Sequence, residues 1–221
     1  MQHTVRVWDL PTRLFHWALV VTIVALVITA KLGGSAMQWH MRLGCAALAL
    51  VAFRLIWGLI GGRWSRFMSF LYSPARVWRY LRGQTQPEDE VGHSPLGALS
   101  VFGLLAIVAL QVASGLVSND EESYTGGPLV NFVSNSIVSK ATWYHMDVGQ
   151  YLLYALVALH LLAIVFYTLA LKRSLVRPML LGDKQLAHPA PHARDNALTR
   201  TLALVVLALC AALAWWINSL G

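Results

Sequence analysis

Five long apolar stretches constrain this chain more than any other feature. They run over about Leu14–Leu32, Gln38–Ile60, Pro95–Val117, Thr142–Leu171 and Leu198–Ile217. Each approaches or exceeds the ~20 residues that an α-helix needs to cross the hydrocarbon of a bilayer. In that medium only helices and closed barrels satisfy their own backbone groups. Composition agrees: 12% of the 221 residues are charged, against about 25% in soluble domains. The expected fold class is an all-α integral membrane protein. The first stretch, preceded by Arg6 and Arg13, has the look of a secretory signal. It is longer than a signal's apolar region and another span follows at once, so cleavage is not expected.

Punctuation supports the division. Gly33-Gly34 breaks the chain between the first two spans, and Ser94-Pro95 offers a cap and a first-turn proline to the third. Between the second and third spans, Ser73 reads as a cap, Pro74 as a first-turn residue and Gly83 as a stop. Val77, Trp78 and Leu81 fall on one side of that segment and Arg76, Arg79 and Arg82 on another, the pattern of a short helix lying on the membrane surface. The acidic stretch 84–91 reads as a loop.

The net charge of +7 is not a nucleic-acid signal, because the basic residues are confined to particular loops. Before span one, at or after the end of span two, and between spans four and five lie 14 of the 17. The opposite side has Lys31, Arg42 and Lys140, with the acidic run Asp120-Glu121-Glu122. The positive-inside rule then predicts a cytoplasmic N-terminus and a C-terminus outside, which is the periplasm if the host is a Gram-negative bacterium, with the bacterial inner membrane as the expected location. Cys45 and Cys210 lack CxxC and CxxCH spacing, which argues against zinc and covalently attached haem.

Four histidines fall in or at the ends of the spans: His16, His40, His145 and His160. Ionisable residues at such depth are rare and usually functional. With alternating helix directions, His16 and His160 lie near the inner face and His40 and His145 near the outer face. His145 and His160 are 15 residues apart on one helix, about 22 Å at 1.5 Å per residue. At 100° per residue they differ by a net rotation of about 60°, so they share a face. Gly149, Leu152, Leu156 and Tyr167 lie on the same stripe. Two levels so far apart exclude one shared zinc or copper ion, and two imidazoles alone make a poor zinc cage. A flat macrocycle with an axial imidazole on each side suits the pattern, which points to two b-type haems. His40-Met-Arg-Leu-Gly44 and His145-Met-Asp-Val-Gly149 both read His-Met-x-x-Gly, with a glycine one turn beyond the histidine where a ring needs room. Close helix packing asks for the same glycines.

Other residues are weaker candidates. Arg13 and Arg54 lie at the inner level as propionate partners, a position that positive-inside anchoring also explains. His93 before the third span and Tyr167 on the histidine stripe are candidates for a quinone pocket; a solvated loop histidine is the plainer reading of His93. The acidic patch at Asp120 suits a basic c-type cytochrome, or is simply a solvated loop. No Rossmann glycine fingerprint or P-loop is present, so a nicotinamide cofactor is not the expected donor.

An ordered set of motifs resembles the bacterial cytochrome b561 family, which includes the cytochrome b subunit of nickel–iron hydrogenases. The matching stretches include Arg13-Leu-Phe-His16-Trp17, His40-Met-Arg-Leu-Gly44, Phe53-Arg-Leu-Ile-Trp-Gly58, Gly92-His-Ser-Pro-Leu-Gly97 and Gly126-Gly-Pro-Leu129. They continue with His145-Met-Asp-Val-Gly149, Ala158-Leu-His-Leu161 and Met179-Leu-Leu-Gly-Asp-Lys184. The resemblance covers about Val5–Lys184. It implies a four-helix core with two b haems, with His16, His40, His145 and His160 as ligands, and electron exchange between the quinone pool and a partner. The expected organisation is a di-haem domain over 1–184, a cytoplasmic linker over 185–197 and an additional helix over 198–221. The function expected is electron transfer between quinone and a periplasmic redox protein such as a c-type cytochrome. A superoxide:quinone oxidoreductase acting alone and a haem-bearing anchor for a hydrogenase-like complex are the alternatives.

Overall fold

A computed structural model describes residues 2–120 and 125–221. Glu121 and Glu122 of the acidic run lie outside the described residues. Among those described, five helical stretches are long and apolar enough to span a bilayer: Leu10–Leu32, Gly34–Ile60, Pro95–Gly115, Asn135–Leu169 and Ala197–Asn218. The chain is an all-α integral membrane protein, with two short strand pairs among the described residues. In chain order the elements are β1 (His3–Arg6), α1 (Leu10–Leu32), α2 (Met37–Ile60), α3 (Pro74–Leu81), α4 (Pro95–Gly115), β2 (Asn119–Asp120) and β3 (Thr125–Gly126). Then follow α5 (Asn135–Trp143), α6 (Gln150–Leu169), α7 (Val176–Leu181), β4 (Asp183–Leu186) and α8 (Ala197–Asn218).

The chain forms two compact units. The first comprises the residues up to Leu14, Arg54–Gly103 and Val157–Leu204; the second comprises Phe15–Phe53, Leu104–Leu156 and Val205–Gly221. Each long helix therefore contributes a part to both, and the chain passes between them five times. The sequence segments of the first unit carry 14 basic and 6 acidic residues, net +8; those of the second carry 3 and 4, net −1.

In the first unit, β1 pairs antiparallel with β4, Arg6 opposite Asp183. Val5, Val7, Trp8, Val91 and Leu186 form a buried cluster against this pair. Segment 185–197 is held by protein contacts: Ala193 N–H donates to the Arg6 carbonyl (2.7 Å), and Trp64 Nε1–H donates to the Pro191 carbonyl (2.9 Å). Arg6 bridges Asp183 and Asp195, and Arg200 joins Asp195. The turn closing α7 needs a residue at φ +92°, which Gly182 supplies at low steric cost. Ser73 caps α3, its hydroxyl accepting from Arg76 N–H (3.3 Å). The acidic stretch expected as a loop holds a 3-10 turn whose Asp89 is buried and paired with Arg76 (2.7 Å).

In the second unit, Gly33 and Gly34 take φ +61° and +53° and turn the chain from α1 into α2. Small residues bring helices close: Ala47, Ala49, Cys210 and Ala214 are buried. Cys45 Sγ–H donates to Asn218 Oδ1 (3.1 Å), on the fifth spanning helix. Leu209, Trp215 and Trp216 on that helix are exposed, as lipid-facing side chains are.

Between α5 and α6, residues Tyr144–Gly149 form a π-helical turn. Such a turn carries one residue more than an α turn and occurs often at functional sites. Counting 100° per residue from His145 therefore fails across this turn and applies only from Gln150 onward. The stripe predicted through Gly149 is displaced accordingly.

Candidate functional site

His40 on α2 and His145 in the π turn face each other within the second unit. Their ring centroids are 6.2 Å apart and their planes cross at 83°. Two imidazoles on opposite sides of one iron, each with its nitrogen ~2 Å from the metal, put their centroids about 6 Å apart. Nδ1 of His40 lies 3.0 Å from the Leu26 carbonyl, and Nδ1 of His145 lies 2.9 Å from the Gln111 carbonyl. A carbonyl only accepts, so both Nδ1 atoms carry the proton and both Nε2 lone pairs remain for a metal. A backbone carbonyl behind the imidazole is the usual way of orienting a ligating histidine. The π turn assists: Gln111 Nε2–H donates to the His145 carbonyl (2.8 Å).

Both rings line a cavity of about 490 Å³, within the ~300–1,000 Å³ range of small-molecule and cofactor sites. Its walls are mostly apolar, from Ile23, Leu26, Val27, Val108 and Leu153, with Lys31, Ser118, Asn119 and Gln150 among its polar residues. The two glycines of the repeated motif differ. Gly44 lines the cavity, and a Cβ there would meet nothing within 4 Å. A Cβ on Gly149 would collide with Gln111 and Tyr144, so its missing side chain serves helix packing. A Cβ on Gly115 would come within 2.9 Å of His145 Cε1, so this glycine makes room for the imidazole. The imidazole pair, the open apolar cavity and the carbonyl-fixed tautomers fit a haem, whose iron His40 and His145 would hold. No group of three or more histidine, cysteine, aspartate or glutamate side chains suited to a bare metal ion occurs among the described residues.

The other expected residues are distributed as follows. His16 on α1 is half-buried, edge-on to Trp17 at 5.1 Å, in the second unit. His160 on α6 belongs to the first unit, with Nδ1 3.3 Å from Ser100 Oγ. Arg13 donates from Nη1 to the Leu180 carbonyl (2.5 Å). Arg54 is 4% exposed, its guanidinium 4.6 Å over the Phe67 ring, with Nη1 enclosed and without a hydrogen-bond partner among the described residues. His93 is packed between Trp8 (4.6 Å) and Phe70 (4.3 Å), and its Nδ1 is enclosed. Burial, with the nearby charges of Arg54 and Lys184, pushes its pKa down to about 3, so it is neutral at physiological pH. Tyr167 shares a 2.9 Å hydrogen bond with Tyr80, whose pKa burial and that bond push up to about 12.

Sequence reasoning missed Asp9, which is wholly buried in the first unit. Its Oδ1 accepts from Thr12 N–H (2.8 Å) and Trp57 Nε1–H (3.2 Å), and its Oδ2 from Ser65 Oγ–H (2.7 Å). Arg54 feels its charge. The signal was available: an aspartate two residues before Pro11 at the start of an apolar run is a helix-start signature. Gln111 left no such signal, because its contacts depend on the π turn.

A family model described as prokaryotic cytochrome b561 matches residues 7–182, and the chain belongs to that family. It is a membrane electron-transfer protein of a family whose prosthetic group is haem b. Relatives named "Probable Ni/Fe-hydrogenase B-type cytochrome subunit" include one from Bradyrhizobium diazoefficiens, 22% identical over 82% of this chain and 86% of its own. Another, from Azotobacter vinelandii, is 22% identical over 86% and 92%, and one from Rhodobacter capsulatus is 22% identical over 82% and 81%. No solved structure matches the chain.

Proposed function

We propose that this chain is a di-haem b cytochrome that moves electrons across the bacterial inner membrane between the quinone pool and a redox protein on the periplasmic side. His40 and His145 hold the periplasmic-side haem, and His16 and His160 the cytoplasmic-side haem. The observation that carries the reading is the His40–His145 pair, 6.2 Å apart over an open cavity with both Nδ1 protons engaged. Bound haem supplies a one-electron iron couple at each level. The chain's own work is to fix the imidazole tautomers through the Leu26 and Gln111 carbonyls and to wall the site with aliphatic side chains that exclude water. The 15-residue separation of His145 and His160 gives two stations, so an electron crosses in two shorter steps.

The distribution of 14 of 17 basic residues supports a cytoplasmic N-terminus and a periplasmic C-terminus. Quinone is proposed to react in the first unit, where His93 is a neutral, enclosed imidazole and Tyr167 and Tyr80 offer hydroxyls. For the partner there are two readings. Asp120, which lines the cavity, suits a basic c-type cytochrome. The names of the relatives favour the second, a haem-bearing membrane subunit that anchors a hydrogenase-like enzyme.

A pyridine haemochrome assay on the purified chain tests the cofactor, with two b haems per chain expected. His16→Ala and His160→Ala should remove one haem, and His40→Ala and His145→Ala the other. Loss of the same haem from His16→Ala and His40→Ala would refute the pairing. Affinity purification from the native membrane tests the partner: a stoichiometric hydrogenase-like enzyme supports the second reading, and a co-purifying c-type cytochrome the first.

A further inference from the structure

The outer cavity carries an electrostatic imbalance that the histidine ligands do not explain. Of the lysines and arginines in the chain, only Lys31 lines it, while Asp120 and Asp147 also line it. Lys31 sits in the last turn of α1, where a cation also complements the helix dipole. Its Nζ donates to Gln150 Oε1 (3.0 Å), and it forms no salt bridge among the described residues. Gln150 is five residues beyond His145, lines the same cavity, and also accepts from the Tyr154 hydroxyl (3.3 Å). The ammonium is therefore tethered by a neutral amide rather than by an ion pair among the described residues.

A haem brings two carboxylates to any site that takes it. In a cavity with aliphatic walls, those carboxylates belong with the polar residues, here Lys31, Ser118, Asn119 and Gln150. An anion beside Asp120 needs a compensating cation, and Lys31 is the one that lines this space. We infer that Lys31 is the charge partner of a propionate at the His40–His145 site, positioned by Gln150. The inference rests on the haem reading of that site.

Lys31 then acts on the outer haem through its charge. Reduction adds an electron to the iron, and a nearby cation stabilises the reduced form. Removing it should lower the reduction equilibrium of the outer haem about tenfold, equivalent to ~59 mV for a one-electron couple, and leave the inner haem unchanged. The experiment is a spectroelectrochemical titration of the full-length protein in detergent, comparing wild type with Lys31→Met and Lys31→Arg. The outer component is identified as the one missing from His40→Ala.

A downward shift of that component alone in Lys31→Met, with Lys31→Arg close to wild type, supports the inference. Loss of the outer haem from Lys31→Met but not from Lys31→Arg supports it too. Unchanged potentials in Lys31→Met at full haem content would overturn it, because a lysine that only ends α1 leaves the couple untouched. Equal shifts in both variants would also overturn it, because charge would not be the cause. A wild-type protein without haem would instead sink the underlying reading.

Discussion

The two units of the molecule treat their polar groups in opposite ways. In the first, several buried charges are met by protein partners. Asp9 accepts three hydrogen bonds, Arg6 and Arg200 share Asp195, and Asp89 closes on Arg76. In the second, two imidazoles turn their Nδ1 atoms back onto the backbone and border an open, mostly apolar cavity. Ionic networks of this kind stabilise a fold. Fixed, neutral donors beside space are prepared for a ligand. The contrast separates the ion-paired residues that hold the first unit together from the imidazoles that border the cavity of the second.

Substitutions can break this contrast from either side. The largest effect is expected at Gly44, where a Cβ meets open cavity. Gly44→Leu should lose most of the outer haem while leaving the fold intact, read by haemochrome content and circular dichroism together; full retention would mean the cavity is not the haem site. Next is Asp9→Ala, which strands three donors and leaves the buried Arg54 without the charge it feels. It should cost about 3 kcal/mol, by analogy with broken buried ion pairs, measured as a fall in the thermal midpoint in detergent. An unchanged midpoint would show that Asp9 is not structural.

A smaller effect concerns pH. His93 has a folded pKa of about 3 against an ordinary 6.5. Between those values the unfolded chain binds the proton and the folded chain does not, so stability falls as pH drops below 6.5. By pH 5 the loss should be about 2 kcal/mol, and His93→Gln should flatten that part of the profile. The smallest is Ser73→Ala, which removes the α3 cap and should cost about 1 kcal/mol without touching haem content.

Much of the fold was legible because lipid imposes a length on apolar helices. The expected spans begin and end within a few residues of the observed ones, apart from the fourth helical stretch, which starts at Asn135 rather than near Thr142. That extension is the polar helix α5, which apolarity does not reveal. The π turn was not legible, since it depends on tertiary packing around Gln111 and His145. The pairing of β1 with β4 joins segments from opposite ends of the chain, His3 with Leu186 and Arg6 with Asp183, and has no local signature. At the candidate site, His40, His145 and Gly44, which the structure brings to one cavity, could be picked out from spacing. The Leu26 and Gln111 carbonyls that orient the imidazoles could not, because every residue has a carbonyl and only the fold selects which one is used. His93 could be read as a loop histidine, but its burial between Trp8 and Phe70 arises from chain segments far apart in sequence.

The pairing of His40 with His145 is tested most directly by low-temperature electron paramagnetic resonance of the fully oxidised protein. Imidazole planes crossing at 83° should give one strongly anisotropic low-spin ferric signal that is absent from both His40→Ala and His145→Ala and present in His160→Ala. If that signal persists in either of the first two variants, or vanishes from only one of them, His40 and His145 do not share an iron.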